Sequence, residues 1–420
     1  MIGTTLVESS PAYARLQRTQ YWSAGRLEAY RNARLEQTLR DASGFAFYRS
    51  LWNGSAEGRD FAALPVLTRV GTRELLAEAR SRARRAESDR SSGSTGMPAE
   101  FLFDRAHQRV RYAARARYLL EHGWRPWSRT GWIIYLPRGV PHGRIAESRL
   151  FVGSRFLSVF TPVEKQVEWL KRLDPLFLYT FPSNLDGLLA VLGEKRASLP
   201  SLRKIYCGSE VVDPALRERT RRALGVEIAE NYGSTEAFLA WECREGRLHV
   251  NAEHVFVEIV DEAGRPAEAG VLGRVLVTTL QNGIMPLVRY EIGDWALAAD
   301  GPCPCGRTLP LLGRVAGRAV SLFRTTTGRV VTPWDIVVRI KYRNDMRQFQ
   351  IVQKTTERCV LRYIAPGELS APARAEIGSH VQAVLGAGVR TDFERVAEIE
   401  RGARGKYFTA ISEALEAVPA

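Results

Sequence analysis

Several short stretches of the sequence gather groups that bind phosphate, sugar hydroxyls or metal. The first is Ser91-Ser92-Gly93-Ser94-Thr95-Gly96-Met97-Pro98, with two glycines, three serines and a threonine. Glycine admits φ > 0 and lets a ligand approach the backbone. Successive N–H groups in such a loop converge on an anion, and hydroxyls add donors. That chemistry suits a polyphosphate, although a flexible Ser/Gly linker has the same composition. No Gly-Lys-Ser/Thr closes the stretch, so it is not a Walker loop. The second, Asn231-Tyr232-Gly233-Ser234-Thr235-Glu236, places one carboxylate among hydroxyls, and taken alone it is a turn preceding a helix. In the third, Leu287 to Asp294, the carboxylate of Asp294 follows Gly293. An Asp there can accept two hydrogen bonds, which suits a ribose diol, and an Asx turn is the plain alternative. Near the C-terminus, Gly402-Ala403-Arg404-Gly405-Lys406 carries a glycine-flanked lysine.

The cysteines make a separate set. Cys243 and His249 are in Cys-x5-His spacing, and Cys303 and Cys305 form a Cys-x-Cys within Pro302-Cys303-Pro304-Cys305-Gly306-Arg307. In a reducing compartment clustered cysteines bind metal more often than they form disulfides. Three thiolates and an imidazole suit a closed tetrahedral Zn²⁺ site, structural because no position stays open. His254 competes for the imidazole place, and the plain alternative is two unpaired thiols in a loop with a surface histidine. Cys207 and Cys359 lie in strand-like segments and read as small core hydrophobes.

The chain must be large enough to hold these stretches together. Its 420 residues exceed one ordinary core, so two or more domains are expected. With 45% hydrophobic and 25% charged residues it is of the soluble globular class. No apolar run approaches the roughly 18 residues that span a bilayer. Met1 to Gln20 lacks an apolar signal core, so the expected location is the cytoplasm, with no membrane partner. The net charge of +14 is spread over arginines, with lysines only at 165, 171, 195, 204, 341, 354 and 406. No aromatic-interleaved basic stripe is present, so nucleic acid is not an expected partner. Arg80 to Arg90 is the dense basic cluster, expected for the most part as a solvated helix face.

Periodicity supplies the elements. Helical spacing runs from Pro11 to about Arg40, an aromatic connector from Gly44 to Trp52 follows, and another helix starts near Thr68. After the Ser/Gly stretch come a short strand at Phe101 to Phe103 and a long helix from Ala106 to His122. Strands at 132–136, 156–159, 176–180, 204–207 and 226–229 then alternate with helices at 164–173, 183–192 and 214–224. That alternation implies βαβ units and a largely parallel sheet, whose ligands gather at the carboxyl ends of strands. From His249 the period changes to two, giving a β-rich subdomain at about 245–318. A compact α+β tail follows, with a Gly328 turn, a helix at 333–340, two strands within 349–364, a helix at 371–385 and a strand at 392–399. The fold class is therefore α/β. A large N-terminal domain, 1–318, carries the β-rich subdomain, and a small C-terminal α+β domain spans 319–420.

In this order, the stretches make the chain resemble the adenylate-forming superfamily of acyl-CoA synthetases, adenylation domains and luciferases. Within it the motif style is most similar to the phenylacetate–coenzyme A ligase branch. Ser91 to Pro98 matches the family's phosphate loop, and Gly208-Ser209-Glu210 its adenine-contacting segment. Tyr232 to Glu236 matches the aromatic-Gly-x-Thr-Glu motif and Arg289 to Asp294 the Arg-Tyr-x-x-Gly-Asp motif. Gly317-Arg318 matches the hinge and Gly405-Lys406 the C-terminal catalytic lysine.

The resemblance implies that a carboxylate attacks the α-phosphate of ATP, giving an acyl-adenylate and pyrophosphate, and that coenzyme A then accepts the acyl group. It assigns ATP binding to Ser91, Ser92, Gly93, Ser94, Thr95, Gly96, Gly208, Ser209, Glu210, Tyr232, Gly233, Ser234, Asp294 and Arg318. Glu236 would hold Mg²⁺, with Thr235 beside it among the catalytic residues. Lys406 would neutralise charge between carboxylate and α-phosphate, carried by a mobile lid. Tyr135, Phe181, Ser183, Gly208 and Phe238 would line the acyl pocket, where aromatic walls suit an aryl acid. Two departures stand out, Ala99 where the family often has Lys or Thr, and Ala319-Val320-Ser321 where it often has acidic residues. The altered hinge keeps open an alternative acceptor, an amine or a carrier-protein thiol. A basic, non-enzymatic binding protein on the same fold is the reading from another class, and Glu236, Asp294 and Lys406 argue against it. The acid and the assembly, a homodimer included, are left open by the sequence.

Overall fold

The computed structural model describes residues 10–54, 56, 58–83, 86–90, 99–136, 153–193, 199–318, 321–341, 343, 345–399 and 408–414. By their internal contacts the residues fall into two units, Met1–Val212 with Leu216–Val315, and Asp213–Ala215 with Ala316–Ala420.

The first unit opens with α1 (Ser10–Thr19) and α2 (Ala24–Ser43). The uninterrupted helical spacing from Pro11 is broken because Ser23 leaves helical geometry and its side chain accepts from the Arg26 N–H, capping α2. The expected aromatic connector contains α3 (Ala46–Leu51), where Tyr48 is buried and packs on Trp52 at 4.6 Å. Tertiary burial outweighs the weak helix propensity of aromatic residues there. After α4 (Gly71–Arg82), β1 (Glu87–Arg90) and β2 (Glu100–Phe103) form an antiparallel hairpin in which Arg90 faces Glu100. The arginine cluster is therefore split between a helix end and an exposed strand. Arg80 and Arg90 both bond the Glu100 carboxylate, at 2.7 and 2.8 Å.

Asp104 then caps α5 (Arg105–Glu121) by accepting from the His107 N–H at 2.8 Å. There follow β3 (Thr130–Ile134), β4 (Ser154–Ser158), α6 (Val163–Leu173), β5 (Phe177–Thr180), α7 (Pro182–Leu192), β6 (Lys204–Cys207), α8 (Pro214–Leu224) and β7 (Glu227–Gly233). Next are β8 (Phe238–Glu242), β9 (Leu248–Val250), β10 (Val255–Val260), β11 (Leu272–Thr279), β12 (Tyr290–Ala298) and β13 (Leu311–Arg318). Among the described residues these build an 11-stranded sheet in the order β10-β11-β12-β13-β9-β8-β7-β6-β5-β3-β4. The run β4-β3-β5-β6-β7 is parallel, and β7 passes to β8 and β9 by antiparallel pairing.

Both faces of the parallel half are covered, which is why its strands are apolar runs. Ile133, Leu178, Ile205 and Ile228 pack under α6, α7 and α8 through Leu170, Leu185, Leu188 and Leu216. On the opposite face Phe177, Tyr206 and Ala229 meet Leu16 of α1 and Val110, Ala114 and Tyr118 of α5. A third core joins Tyr48, Trp52 and Leu75 to Phe101, Val275, Val277 and Tyr290 of the β-rich half. Between α1, α5 and the turn before β10 lies a buried ion pair, Arg117–Glu253 at 2.9 Å. Thr19 donates to the same carboxylate at 2.6 Å, and Arg117 also donates to Asn251 at 2.7 Å, so the charges are partnered.

The second unit holds the hairpin β14 (Phe323–Arg324) and β15 (Val330–Val331), then α9 (Trp334–Lys341), β16 (Gln348–Thr355), β17 (Arg358–Ile364), α10 (Ala371–Leu385), β18 (Arg390–Arg395) and β19 (Ala410–Ser412). Its sheet runs β18-β17-β16-β19. Ile377 and Val381 of α10 pack against Ile351, Leu361 and Tyr363. Strand β19, too short to carry a period, pairs parallel to β16. Among the described residues no helix is long and apolar enough to cross a membrane.

Candidate active site

The carboxyl ends of β5, β6 and β7 bring three of the sequence motifs together. Gly208 follows β6, and a Cβ there would lie 2.7 Å from the Asn231 amide. Asn231, on β7, donates to the Cys207 carbonyl at 2.9 Å, so only glycine fits between the two strand ends. Ser209 then takes a left-handed backbone, φ 67°. The Glu210 carboxylate accepts from the Ser183 N–H at 2.8 Å and from its hydroxyl at 3.0 Å, at the start of α7. A carboxylate is favoured there by the helix dipole. Ser183 and Glu210, read from sequence as acyl and adenine residues, are thus bonded to each other.

Tyr232 and Gly233 end β7 as strand, and residues 234–237 turn into β8, where the plain reading had a helix. Ser234 N–H donates to Ala237 O at 2.9 Å, and Ala237 N–H to Ser234 Oγ at 3.3 Å. Thr235 is half-buried in the turn. Glu236 is only 5% exposed. Its main-chain oxygen lies 3.0 Å from His107 Nε2. Among the described residues nothing donates a hydrogen bond to its carboxylate, and the Arg111 guanidinium on α5 bears on it electrostatically. A buried carboxylate without a protein donor suits a hard cation, which takes one or two carboxylates and fills its shell with phosphate oxygens and water.

Asp294 lies within β12, after Gly293 at φ 79°, not in an Asx turn. The Tyr232 hydroxyl donates to Asp294 Oδ2 at 2.8 Å. These residues stand on strands separated by β8, β9 and β13 in the sheet order, so the antiparallel half curls far enough to close that distance. Arg289, which opens the same motif, is a clamp. Its guanidinium is buried, pairs with Glu258 at 3.2 Å, and donates to the carbonyls of Ala62, Leu64 and Gly264. It also adopts a left-handed backbone, φ 47°.

The residues assigned to the acyl pocket divide. Phe181 is buried at the start of α7, and Tyr135 follows β3 with its ring 6.1 Å from Phe160. Phe238 is instead part of the core beneath α5, 6.1 Å from the Tyr118 ring. Arg318 ends β13 in the second unit. The glycine–serine stretch Ser91, Ser92, Gly93, Ser94, Thr95 and Gly96 lies outside the described residues, as do Lys406 and the Ala319-Val320 departure.

Cys243, His249, Cys303 and Cys305 converge, with their donor atoms within 4.8 Å of one another. Cys243 Sγ lies 3.7 Å from Cys303 Sγ, and Cys305 Sγ 3.3 Å from His249 Nε2. A tetrahedron with Zn–S of about 2.3 Å has edges of about 3.7 Å, and a disulfide needs about 2.05 Å. His249 Nδ1 donates to the Leu309 carbonyl at 3.1 Å, which leaves the Nε2 lone pair facing the thiols. Burial lowers the His249 pKa to about 4, so the ring is neutral and able to ligate. Burial pushes the Cys243 thiol up. At Cys305 burial is outweighed by the Arg307 N–H and guanidinium, which hold it below the usual thiol range. His254, the competing imidazole, is elsewhere, its ring 4.4 Å from that of His107.

Two features of this region have no linear signature. His107 is a lone histidine in a helical segment, and only the fold places it under Glu236. Arg217 bridges Glu230 and Glu242, each at 2.8 Å, behind the strand that carries Tyr232. Burial raises the Glu230 pKa to about 7, Arg217 opposing and Glu242 adding to the shift.

Comparison with known proteins places this geometry. Residues 91–285 match the AMP-binding enzyme family, and residues 323–413 match the CapK C-terminal domain. A phenylacetate-coenzyme A ligase of Thermus thermophilus is 28% identical over 310 residues, 69% of this chain and 67% of that protein. The phenylacetate-coenzyme A ligase of Escherichia coli is 30% identical over 165 residues, 37% of each chain. A crystal structure of 2-hydroxyisobutyryl-CoA ligase in its postadenylation state superposes with a TM-score of 0.72 at 23% identity, covering 94% of this chain and 92% of that one.

Proposed function

Because the chain belongs to the adenylate-forming superfamily, in its phenylacetate–coenzyme A ligase-like branch, and is an AMP-forming acid–thiol ligase, we propose that its acid is a small aromatic carboxylic acid and its acceptor coenzyme A. The observation that carries the site assignment is Glu236, a buried carboxylate with no donor among the described residues, held on a turn beside the Tyr232–Asp294 pair. Similarity to two phenylacetate-coenzyme A ligases, and the aromatic Tyr135 and Phe181 near the strand ends, favour an aryl acid.

In this reading Asp294, oriented by the Tyr232 hydroxyl, accepts from the ribose diol of ATP. The segment Gly208-Ser209-Glu210, at the end of β6, is assigned to the adenine. Glu236 would hold Mg²⁺, which would neutralise phosphate charge. The glycine–serine stretch cradles the β- and γ-phosphates with backbone and hydroxyl donors. A carboxylate oxygen of the acid attacks the α-phosphorus as the bond to pyrophosphate breaks, and Lys406 is assigned to the charge that develops there. The coenzyme A thiol then gives up its proton and attacks the acyl carbon, and AMP leaves. The residues do their work by positioning and neutralisation, on which phosphoryl chemistry chiefly rests. The Cys243–His249–Cys303–Cys305 set we assign to a structural Zn²⁺, since three thiols and one imidazole within 4.8 Å of one another supply the four donors of a closed site.

The test is pyrophosphate release with a panel of aryl and aliphatic acids, with and without coenzyme A. Turnover confined to aryl acids, with acyl-CoA as product, is expected. Release that requires an amine in place of coenzyme A would move the chain to amide synthesis, and aliphatic preference would overturn the aryl assignment.

A further inference from the structure

His107 is the fully buried group closest in role to Glu236 that the reaction as described leaves unused. It sits one turn into α5, and its N–H is bound by the Asp104 cap at 2.8 Å. Its ring stacks on Phe103 at 4.9 Å with an interplanar angle of 15°. Nε2 is 3.0 Å from the Glu236 main-chain oxygen. A carbonyl oxygen only accepts, so Nε2 carries the proton and Nδ1 is the bare nitrogen. Among the described residues that nitrogen has no hydrogen-bond partner, nor has either ring nitrogen of the adjoining His254. The ring is therefore placed by stacking and by one bond, and that bond goes to Glu236.

We propose that His107 is a positioning residue for metal binding at Glu236, a role that rests on the reading of Glu236 given above. The carbonyl that His107 holds belongs to the residue whose side chain is the ligand. Among the described residues the 234–237 turn is otherwise held by bonds within itself, at 2.9 and 3.3 Å, and by the pairing of Gly233 with Phe238 that flanks it. Fixing the peptide after Glu236 limits rotation of that turn and so fixes the direction of the side chain. The other end of the connection is Asp104, whose side chain also accepts from the Gly283 N–H at 2.9 Å. Asp104 directly follows β2, the strand that leaves the glycine–serine stretch. One helical turn, 104–107, thereby joins the exit of that stretch to the Glu236 turn.

The test compares His107→Phe, which keeps the stacked ring without a donor, with His107→Gln, whose amide nitrogen replaces Nε2. His107→Asn, too short to reach the carbonyl, repeats the loss with a different packing change. Two readouts are taken, Mn²⁺ binding to the protein–ATP complex by electron paramagnetic resonance, and Mg²⁺ half-saturation of pyrophosphate release. Loss of one hydrogen bond should weaken Mn²⁺ binding and raise the Mg²⁺ requirement by about tenfold in the Phe and Asn variants. The KM for the acid should not move, and His107→Gln should return both values to within about twofold of wild type. Unchanged Mn²⁺ affinity in the Phe and Asn variants would overturn the proposal. So would a Gln variant as impaired as the Phe variant, because packing would then be the whole role. Wild-type protein that binds no Mn²⁺ with ATP would instead remove the reading of Glu236 itself.

Discussion

Glu230 and Glu236 stand six residues apart in the same region, and their surroundings give them different chemistry. Glu236 meets no donor among the described residues. Glu230 is half-buried between Arg217 and Glu242, and desolvation, opposed by Arg217, raises its folded pKa to about 7, above the ordinary carboxylate value of 4.5. Between those values the folded chain holds a proton that the unfolded chain has lost, so stability contributed by this group is full below pH 4.5 and falls as pH rises through 7. Glu230→Gln should flatten the decline in unfolding free energy between pH 5 and 7, which amounts to up to about 3 kcal/mol for such a shift. Urea unfolding at a series of pH values measures it, and parallel curves for both proteins would show that Glu230 is not the titrating group. At this scale the sequence was readable where chemistry follows from residue type. The glycine beside Asn231 and the carboxylate in the 234–237 turn stand out in the linear text. The role of Arg289 does not: nothing in the linear text marks it as structural, and burial with four partners makes it a clamp.

Elements show a second kind of dependence. The turn between β8 and β9 supplies Cys243 and places His249, while the segment before β13 supplies Cys303 and Cys305. Strands β9 and β13 are neighbours, with His249 paired to Leu311, so the four donors meet at one end of an antiparallel pair. A metal there would tie the turn before β9 to the segment before β13, closing the chain over strands β9 to β12. Protein purified without a histidine tag should carry stoichiometric zinc. Its removal by a chelator, or Cys305→Ser, should lower the melting temperature by about 5 °C or more. A chelated protein that melts with the untreated one would leave the four side chains as a packed cluster without metal. The Cys-x-Cys and Cys-x5-His spacing announced this set with His249 in it, and the fold puts the competing His254 against His107 instead. Other boundaries shifted for similar reasons. Ser23 divides what reads as one helix, and the Tyr48–Trp52 contact makes a helix of an apparent connector.

At the scale of the molecule, the proposed chemistry draws on residues far apart in the sequence, from the phosphate stretch at 91–96 to Lys406. Lys406→Ala should reduce adenylate formation by about a hundredfold or more while ATP binding stays nearly unchanged. Single-turnover formation of the acyl-adenylate beside equilibrium ATP binding separates the two effects, and normal adenylation by the variant would remove the role given to Lys406. The sequence by itself determined the class of fold, because alternation of strand and helix periods follows from which side chains must be buried. It also determined the class of chemistry, because hydroxyl, glycine and carboxylate groups keep their nature wherever the chain carries them. Only the tertiary structure decided which of them meet. Tyr232 reaches Asp294 because the antiparallel half of the sheet curls, and His107 reaches Glu236 because α5 packs beneath the end of β7. Those contacts join residues 62 and 129 positions apart, and they depend on the twist of strands and the packing of helices, which no local pattern of residue types records.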